Sequence, residues 1–420
     1  MGFGSSIYSF RGSSSAQPVD FAPGAQLDAF GRLRTSQPYE LFSKACEYDN
    51  QPLFYQNVVS GGASATYSLA STSSTLAVVG GADRVVRQSR WYVRYRPGKS
   101  QQIFITGNFG GSQPNVVKRM GYYDDSTQPQ STGDGVFFEV TSEGIFAVLR
   151  SSVTGVSVDT RVPQASWNVD RLDGTGPSGI TLDLADQQVA VFDFGWLGSA
   201  GVRWGFDLGG QVIIAHEVFP ANILALPYMA RPSLPLRWEV QSTGGAGSMQ
   251  ATCSSVQSEG GFNTQGVQRS ISRSGSGLTL TATTLRPLLT VQLKDAYRRS
   301  LFSPLYISTL ALGSSPESYE VLLLVNPVLT GATFAAGSAS ETMEYDTAAT
   351  AVSGGQIVES LYAAGGGAST KGGSLDVVIN TDVPLSSSYN GSKDTLTLAV
   401  RPLGTSSTTF YGSLTWSEFY

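Results

Sequence analysis

Short runs rich in Val, Ile, Tyr, Phe, Trp and Thr, separated by glycine-rich turns, constrain this chain most. Such residues fit a pleated, half-buried surface. The runs fall at residues 65–69, 74–79, 89–95, 102–107, 115–123, 136–141, 145–151, 156–161, 180–183, 189–194, 202–208, 211–217, 236–240 and 249–257. In 89–95, Trp91, Val93 and Tyr95 share one parity, as a strand with one buried face requires. Paired glycines such as Gly61 and Gly62, Gly80 and Gly81, or Gly209 and Gly210 punctuate the series. Turn signals at roughly 8 to 12-residue spacing imply a sandwich or barrel. Leu208 to Gln211 reads as a tight hairpin. Only 28–34 and 293–299 have the pattern of a helical turn or two, and no stretch is amphipathic at helical period. The expected fold class is therefore all-β.

A polar, glycine-rich segment at 260–277 reads as a domain boundary. Further β-runs follow at 278–285, 288–294, 305–312, 318–326, 355–362, 375–381, 395–402 and 408–419, with a soft Ala/Gly/Ser/Thr region at 329–355. The aromatic run at 408–419 is expected to tuck into a sheet or an interface. Residues 1–27 are rich in Gly and Ser, with scattered Phe3, Ile7, Tyr8, Phe10 and Phe21. Extended, such an arm reaches on the order of 90 Å. The expected organisation is an arm with a docking motif over 1–50, a β-sandwich over 51–265 and a second β-sandwich over 266–420.

Composition narrows function. A net charge of −5 argues against nucleic acid as a partner, which calls for a basic face. No apolar run approaches the roughly 20 residues that span a bilayer, and Met1 to Arg11 lack the n- and h-regions of a signal peptide. Charged residues make up 14%, against about 25% in ordinary domains, which suits large buried contacts. With a single histidine, His216, triad catalysis has one possible base and multi-histidine metal centres are excluded within one chain. The zincin spacing fails because Pro220 stands where the second histidine belongs. Cys46 and Cys253 form no CxxC motif and read as free thiols.

Three further groups could carry chemistry. Asp124, Asp125 and Asp134, and separately Asp170, Asp173 and Asp183, lie in loops that could hold Ca²⁺ or supply a glycosidase pair. The competing reading is turn chemistry, in which Asp shapes its own loop. Tyr122, Tyr123, Trp196 and Trp204 could stack on sugar rings or belong to the core. Gly174 and Gly176 lack the following helix that a phosphate loop needs. No cofactor and no metal is expected.

The most specific segment runs from Leu27 to Lys44. Its core, Asp28-Ala29-Phe30-Gly31-Arg32-Leu33-Arg34, followed by Ser36, Pro38, Leu41, Phe42 and Lys44, resembles a motif near the N-terminus of virion structural proteins of tailed bacteriophages and some other large DNA viruses. Here Phe42 runs directly into Ser43, one residue short of the usual form. The domain that follows also looks similar to those proteins, with a lectin-like jelly roll suggested around 167–179. The resemblance implies a virion component that is not an enzyme, associated with capsid or tail. In the residues themselves, Phe30, Leu33, Leu41 and Phe42 are apolar anchors, while Arg32, Arg34 and Lys44 suit a carboxylate-bearing neighbour. Together with Asp28 these are the candidate docking residues; the competing reading is a turn packed on its own domain. The expected partners are further copies of the chain in a closed homo-oligomer, with a trimer favoured, and other virion proteins. A receptor- or glycan-binding spike that takes a host surface glycan is the alternative, and a glycan depolymerase a third.

Overall fold

A computed structural model describes residues 27–419 apart from 33, 35–36, 130, 261–265, 314, 337–341, 366–371 and 380–384. The expected arm, residues 1–26, lies outside the described residues, as does Leu33.

The chain is all-β, and its named strand pairings are antiparallel. The first strands are β1 (Pro38–Ala45), β2 (Tyr55–Ser60), β3 (Ser64–Ser68), β4 (Ser73–Val78), β5 (Arg84–Ser89), β6 (Gln101–Asn108), β7 (Val116–Tyr123) and β8 (Gly135–Thr141). They continue with β9 (Gly144–Ser151), β10 (Val158–Pro163), β11 (Gln187–Phe194), β12 (Val202–Leu208), β13 (Gln211–Val218), β14 (Leu236–Ser242) and β15 (Gly247–Glu259). One sheet has the order β13-β12-β11-β6-β15-β4-β3, with β1 also on β15; the other has the order β10-β9-β8-β7-β14-β5-β2. The two pack face to face. Ile103, Ile105, Phe192 and Phe206 of the first meet Met120, Tyr122, Phe138 and Trp238 of the second in one buried cluster. Alternation explains the layer: in β14, Leu236, Trp238 and Val240 face this core, so Arg237 and Glu239 face outward.

The second set comprises β16 (Val267–Leu280), β17 (Arg286–Leu293), β18 (Leu301–Leu312), β19 (Tyr319–Val325), β20 (Val328–Thr330) and β21 (Ala335–Ala336). It ends with β22 (Met343–Asp346), β23 (Ala351–Ser353), β24 (Gln356–Ala363), β25 (Gly372–Val378), β26 (Thr395–Pro402) and β27 (Thr408–Phe419). Sheets β16-β27-β18-β25 and β21-β22-β17-β26-β19-β24 enclose a second core around Leu289, Val291, Leu323, Leu398, Leu414 and Trp416. The run at 408–419 lies between β16 and β18, inside a sheet as its aromatic content suggested.

Several expectations need correction. The segment 38–45 is not part of an arm: β1 pairs with β15 over Pro38 to Ala45 and buries Phe42. The polar stretch at 260–277 is largely strand β16, paired to β27, because an edge strand with one solvated face has no need of apolar residues. Beyond Ser89, the end of β5, the run at 89–95 is irregular, with an isolated bridge from Val93 to Leu234. Tyr92 is buried as well as Val93 and Tyr95, so side chains of both parities turn inward and no flat strand fits. Residues 180–183 make one bridge, between Asp173 and Thr181. The two helical candidates reduce to a turn at 28–32 and a 3₁₀ turn, Asp295–Tyr297.

Candidate functional site

The motif turn is built around Asp28. Its buried carboxylate accepts from the backbone N–H of Phe30 at 2.9 Å and of Arg32 at 2.7 Å, and from Arg32 Nε at 2.7 Å. Gly31, at φ 73°, closes the turn where a side chain would be strained. Burial works to raise the Asp28 carboxyl, but these Arg32 contacts outweigh it and hold the group below its ordinary value. Phe30 lies against Gly195, whose added Cβ would sit 2.4 Å from the ring.

Arg34 anchors the turn to the sheet. Its Nη2 donates to Asp193 Oδ2 at 2.6 Å, and Glu259 stands 3.5 Å from Nη1. Glu259 also faces Arg32 at 3.7 Å. Further along, Phe42 packs edge-on against Tyr55 and Trp91, and Leu41 packs on the same core. The Lys44 ammonium lies over the Phe54 ring at 4.1 Å. The carboxylates that Arg32 and Arg34 engage thus belong to the same chain. Arg32, with its side chain 53% exposed, still presents to solvent.

The turn shares one end of the sandwich with an apolar surface. Phe219, Ile223, Leu224 and Leu226 are all exposed. Gly201 ties this surface to the motif, since a Cβ there would meet both the Phe219 ring and the Ala29 carbonyl.

The Asp-rich loops follow turn chemistry. Asp170 accepts from the N–H groups of Leu172 and Ser178, Asp173 from that of Thr175, and Asp183 from that of Ala185. Asp124 accepts from the N–H of Gly133 and Asp134, and Asp134 from those of Ser152 and Ala230. Among the described residues no group of three His, Cys, Asp or Glu is placed to hold a metal. The sugar-stacking reading fails for Tyr122, Tyr123 and Trp204, which are buried; Trp196 packs on the core, with Nε1 donating to the Met229 carbonyl. His216 is buried against Trp204, and burial pushes its imidazole below the ordinary value.

Sequence reasoning missed a charged layer on the outer face of the seven-stranded sheet. Glu239 accepts from Arg84 and Arg119, each at 3.0 Å, and from Arg237 at 2.5 Å. Arg119 continues to Glu139 at 2.7 Å, and Glu139 to Arg161 at 2.7 Å. Arg84 and Arg237 both reach Asp125 at 2.6 Å. The signal was present as charged residues alternating with apolar ones in Leu236 to Val240. Burial opposes ionisation of Glu239, but Arg237, Arg119 and Arg84 overcome it and hold the carboxyl below its usual range. A carboxylate so held is a poor general acid, a role that needs a group titrating near the working pH.

The second sandwich covers part of this layer. The Tyr389 N–H donates to Gln56 Oε1 at 2.8 Å, and Arg90 pairs with Asp394 at 2.6 Å.

No family model matches the chain, and no curated protein matches it. Solved structures with a similar fold include the carbohydrate esterase of the Shiga toxin-encoding bacteriophage phi24B, at 12% identity and TM-score 0.32, covering 53% of this chain and 100% of that one. A legume lectin-like domain from Entamoeba histolytica is similar at 8% identity and TM-score 0.31, covering 54% of this chain and 100% of the other. A lichenase from a mouse hindgut metagenome is similar at 9% identity and TM-score 0.33, covering 53% and 99%. These likenesses concern the sandwich fold alone.

Proposed function

We propose that the chain is a non-enzymatic structural protein of a bacteriophage virion, joined to its particle through the end of the first sandwich that carries the motif turn. The observation that carries this reading is the turn itself. Asp28 and Arg34 hold it in place, it leaves Arg32 in solvent, and it adjoins the exposed Phe219, which Ile223, Leu224 and Leu226 follow, also exposed. A cation beside exposed apolar side chains suits a surface that docks on another protein. The partners are further copies of the chain and other capsid or tail proteins.

Light scattering after size-exclusion chromatography tests the self-assembly, on the full chain and on a chain beginning at Leu27. An oligomer expected in the first and lost in the second assigns self-association to residues 1–26. Monomers in both, together with no retention of purified capsid or tail proteins, overturn the docking role. A glycan array on the same material separates the alternative: saturable glycan binding without self-association favours a receptor-binding spike.

A further inference from the structure

Gln56, Gln88 and Arg237 stand side by side on β2, β5 and β14, paired in register across the outer face of the seven-stranded sheet. Gln56 Nε2, Gln88 Nε2 and Arg237 Nε and Nη1 are sealed from solvent with no hydrogen-bond partner among the described residues. The same holds for Nε, Nη1 and Nη2 of Arg299, from the second sandwich. Two chains of contact link these groups across the junction where the second sandwich meets the sheet. Tyr389, whose N–H donates to Gln56, lies with its ring under the Arg237 guanidinium at 5.6 Å. Gln128 donates to Gln88 Oε1 at 3.1 Å and accepts from the Tyr92 hydroxyl at 2.7 Å, and Arg299 lies over the Tyr92 ring at 4.4 Å.

Every unmet atom in this set is a donor, and two of the side chains are cations. The adjacent carboxylates are already engaged, two of them by Arg237 Nη2, which leaves its Nε and Nη1 unmet: Asp125 holds Arg84 and Arg237, Glu239 holds its three arginines, Arg237 among them, and Asp124 holds the loop at 131–134. Buried donors without acceptors are costly, and charged ones more so. Water supplies donors as well as acceptors, whereas an oxyanion supplies acceptors and negative charge together. We propose that this junction binds a small tetrahedral oxyanion of the phosphate or sulfate kind, held by Arg237 and Arg299 and by the Gln56 and Gln88 amides. Because Arg299 belongs to the second sandwich and the others to the first, the anion ties the two together. The site does not depend on the virion reading.

Sulfate and phosphate are titrated calorimetrically into the full chain, with ionic strength held constant by sodium chloride. Saturable one-site binding is expected for both and none for chloride. Arg299→Met and Gln88→Leu are each expected to weaken it, the first roughly tenfold or more through loss of a charge-assisted contact. Selenate diffused into crystals of the unaltered protein gives a readout that needs no variant, an anomalous peak between Arg237 and Arg299. No saturable heat in the unaltered chain, no selenium peak at the junction, or affinity unchanged in both variants overturns the site.

Discussion

Arg34 and Asp193, 159 positions apart, meet at 2.6 Å and fasten the motif turn to the end of β11 in the first sandwich. Burial raises the Asp193 carboxyl against the pull of Arg34, Ser100 and Arg203, so the pair sits where an unpartnered charge is expensive. Arg34→Ala is expected to cost about 3 kcal/mol or more, because it strands Asp193. Arg34→Met combined with Asp193→Leu is expected to lose less than the single change. Urea denaturation of both variants checks this ordering, and a double variant less stable than Arg34→Ala contradicts it.

Acid sensitivity should trace to the outer charged layer. Glu239 titrates below its usual value in the fold, so the unfolded chain takes up its proton first as pH falls. Its stabilisation is complete above the ordinary carboxylate range and drains away as pH drops through that range and below. Denaturation midpoints measured between about pH 2 and 6 should therefore fall steeply for the native chain. The Glu239→Gln variant should start less stable and show a shallower slope; parallel slopes would exclude Glu239 as a source.

Two glycines separate backbone strain from steric clash. Gly210 turns the β12–β13 hairpin at φ 82°, where an added Cβ meets nothing within 4 Å. Gly210→Ala should cost about 1–2 kcal/mol from conformation alone. Gly121 has no positive φ, yet its Cβ would lie 2.5 Å from the Phe137 backbone on β8. Gly121→Ala must push β7 and β8 apart and is expected to cost more than Gly210→Ala, as thermal midpoints of the two would register.

The two thiols should differ in reactivity. Cys46 is buried, and burial pushes its thiol up despite Arg87, whose Nη2 donates to Sγ at 3.1 Å. Cys253 is half-buried. An aromatic disulfide reagent should modify Cys253 in the native protein and Cys46 only after denaturant is added. Equal native rates would contradict this placement.

Much of the fold was legible because its signals are local. The 208–211 hairpin needs two glycines at positive φ, and Gly209 and Gly210 announce it. β1 escaped because Pro38, Glu40 and Lys44 dilute its apolar residues, and its place against β15 is set by a strand far along the chain. The motif residues were identified, but their partners Asp193 and Glu259 sit in unremarkable stretches and are brought close only by packing. The charged outer layer was hidden for the same reason: Arg84, Arg119, Glu139, Arg237 and Glu239 come from four strands and become a network only in register.

The pairing of β1 with β15 also sets a clock. Lys44 of β1 and Ser254 of β15 are register partners, so this part of the sheet stays open until the chain between them has been made. At a synthesis rate of about 5–20 residues per second, β6, complete at Asn108, waits for β15, which begins at Gly247, so its edge stays unpaired for on the order of 10 to 30 seconds in a nascent chain. During that interval an apolar strand edge is free to pair with the wrong neighbour, and folding yield should respond to translation speed and to chaperones that mask such edges.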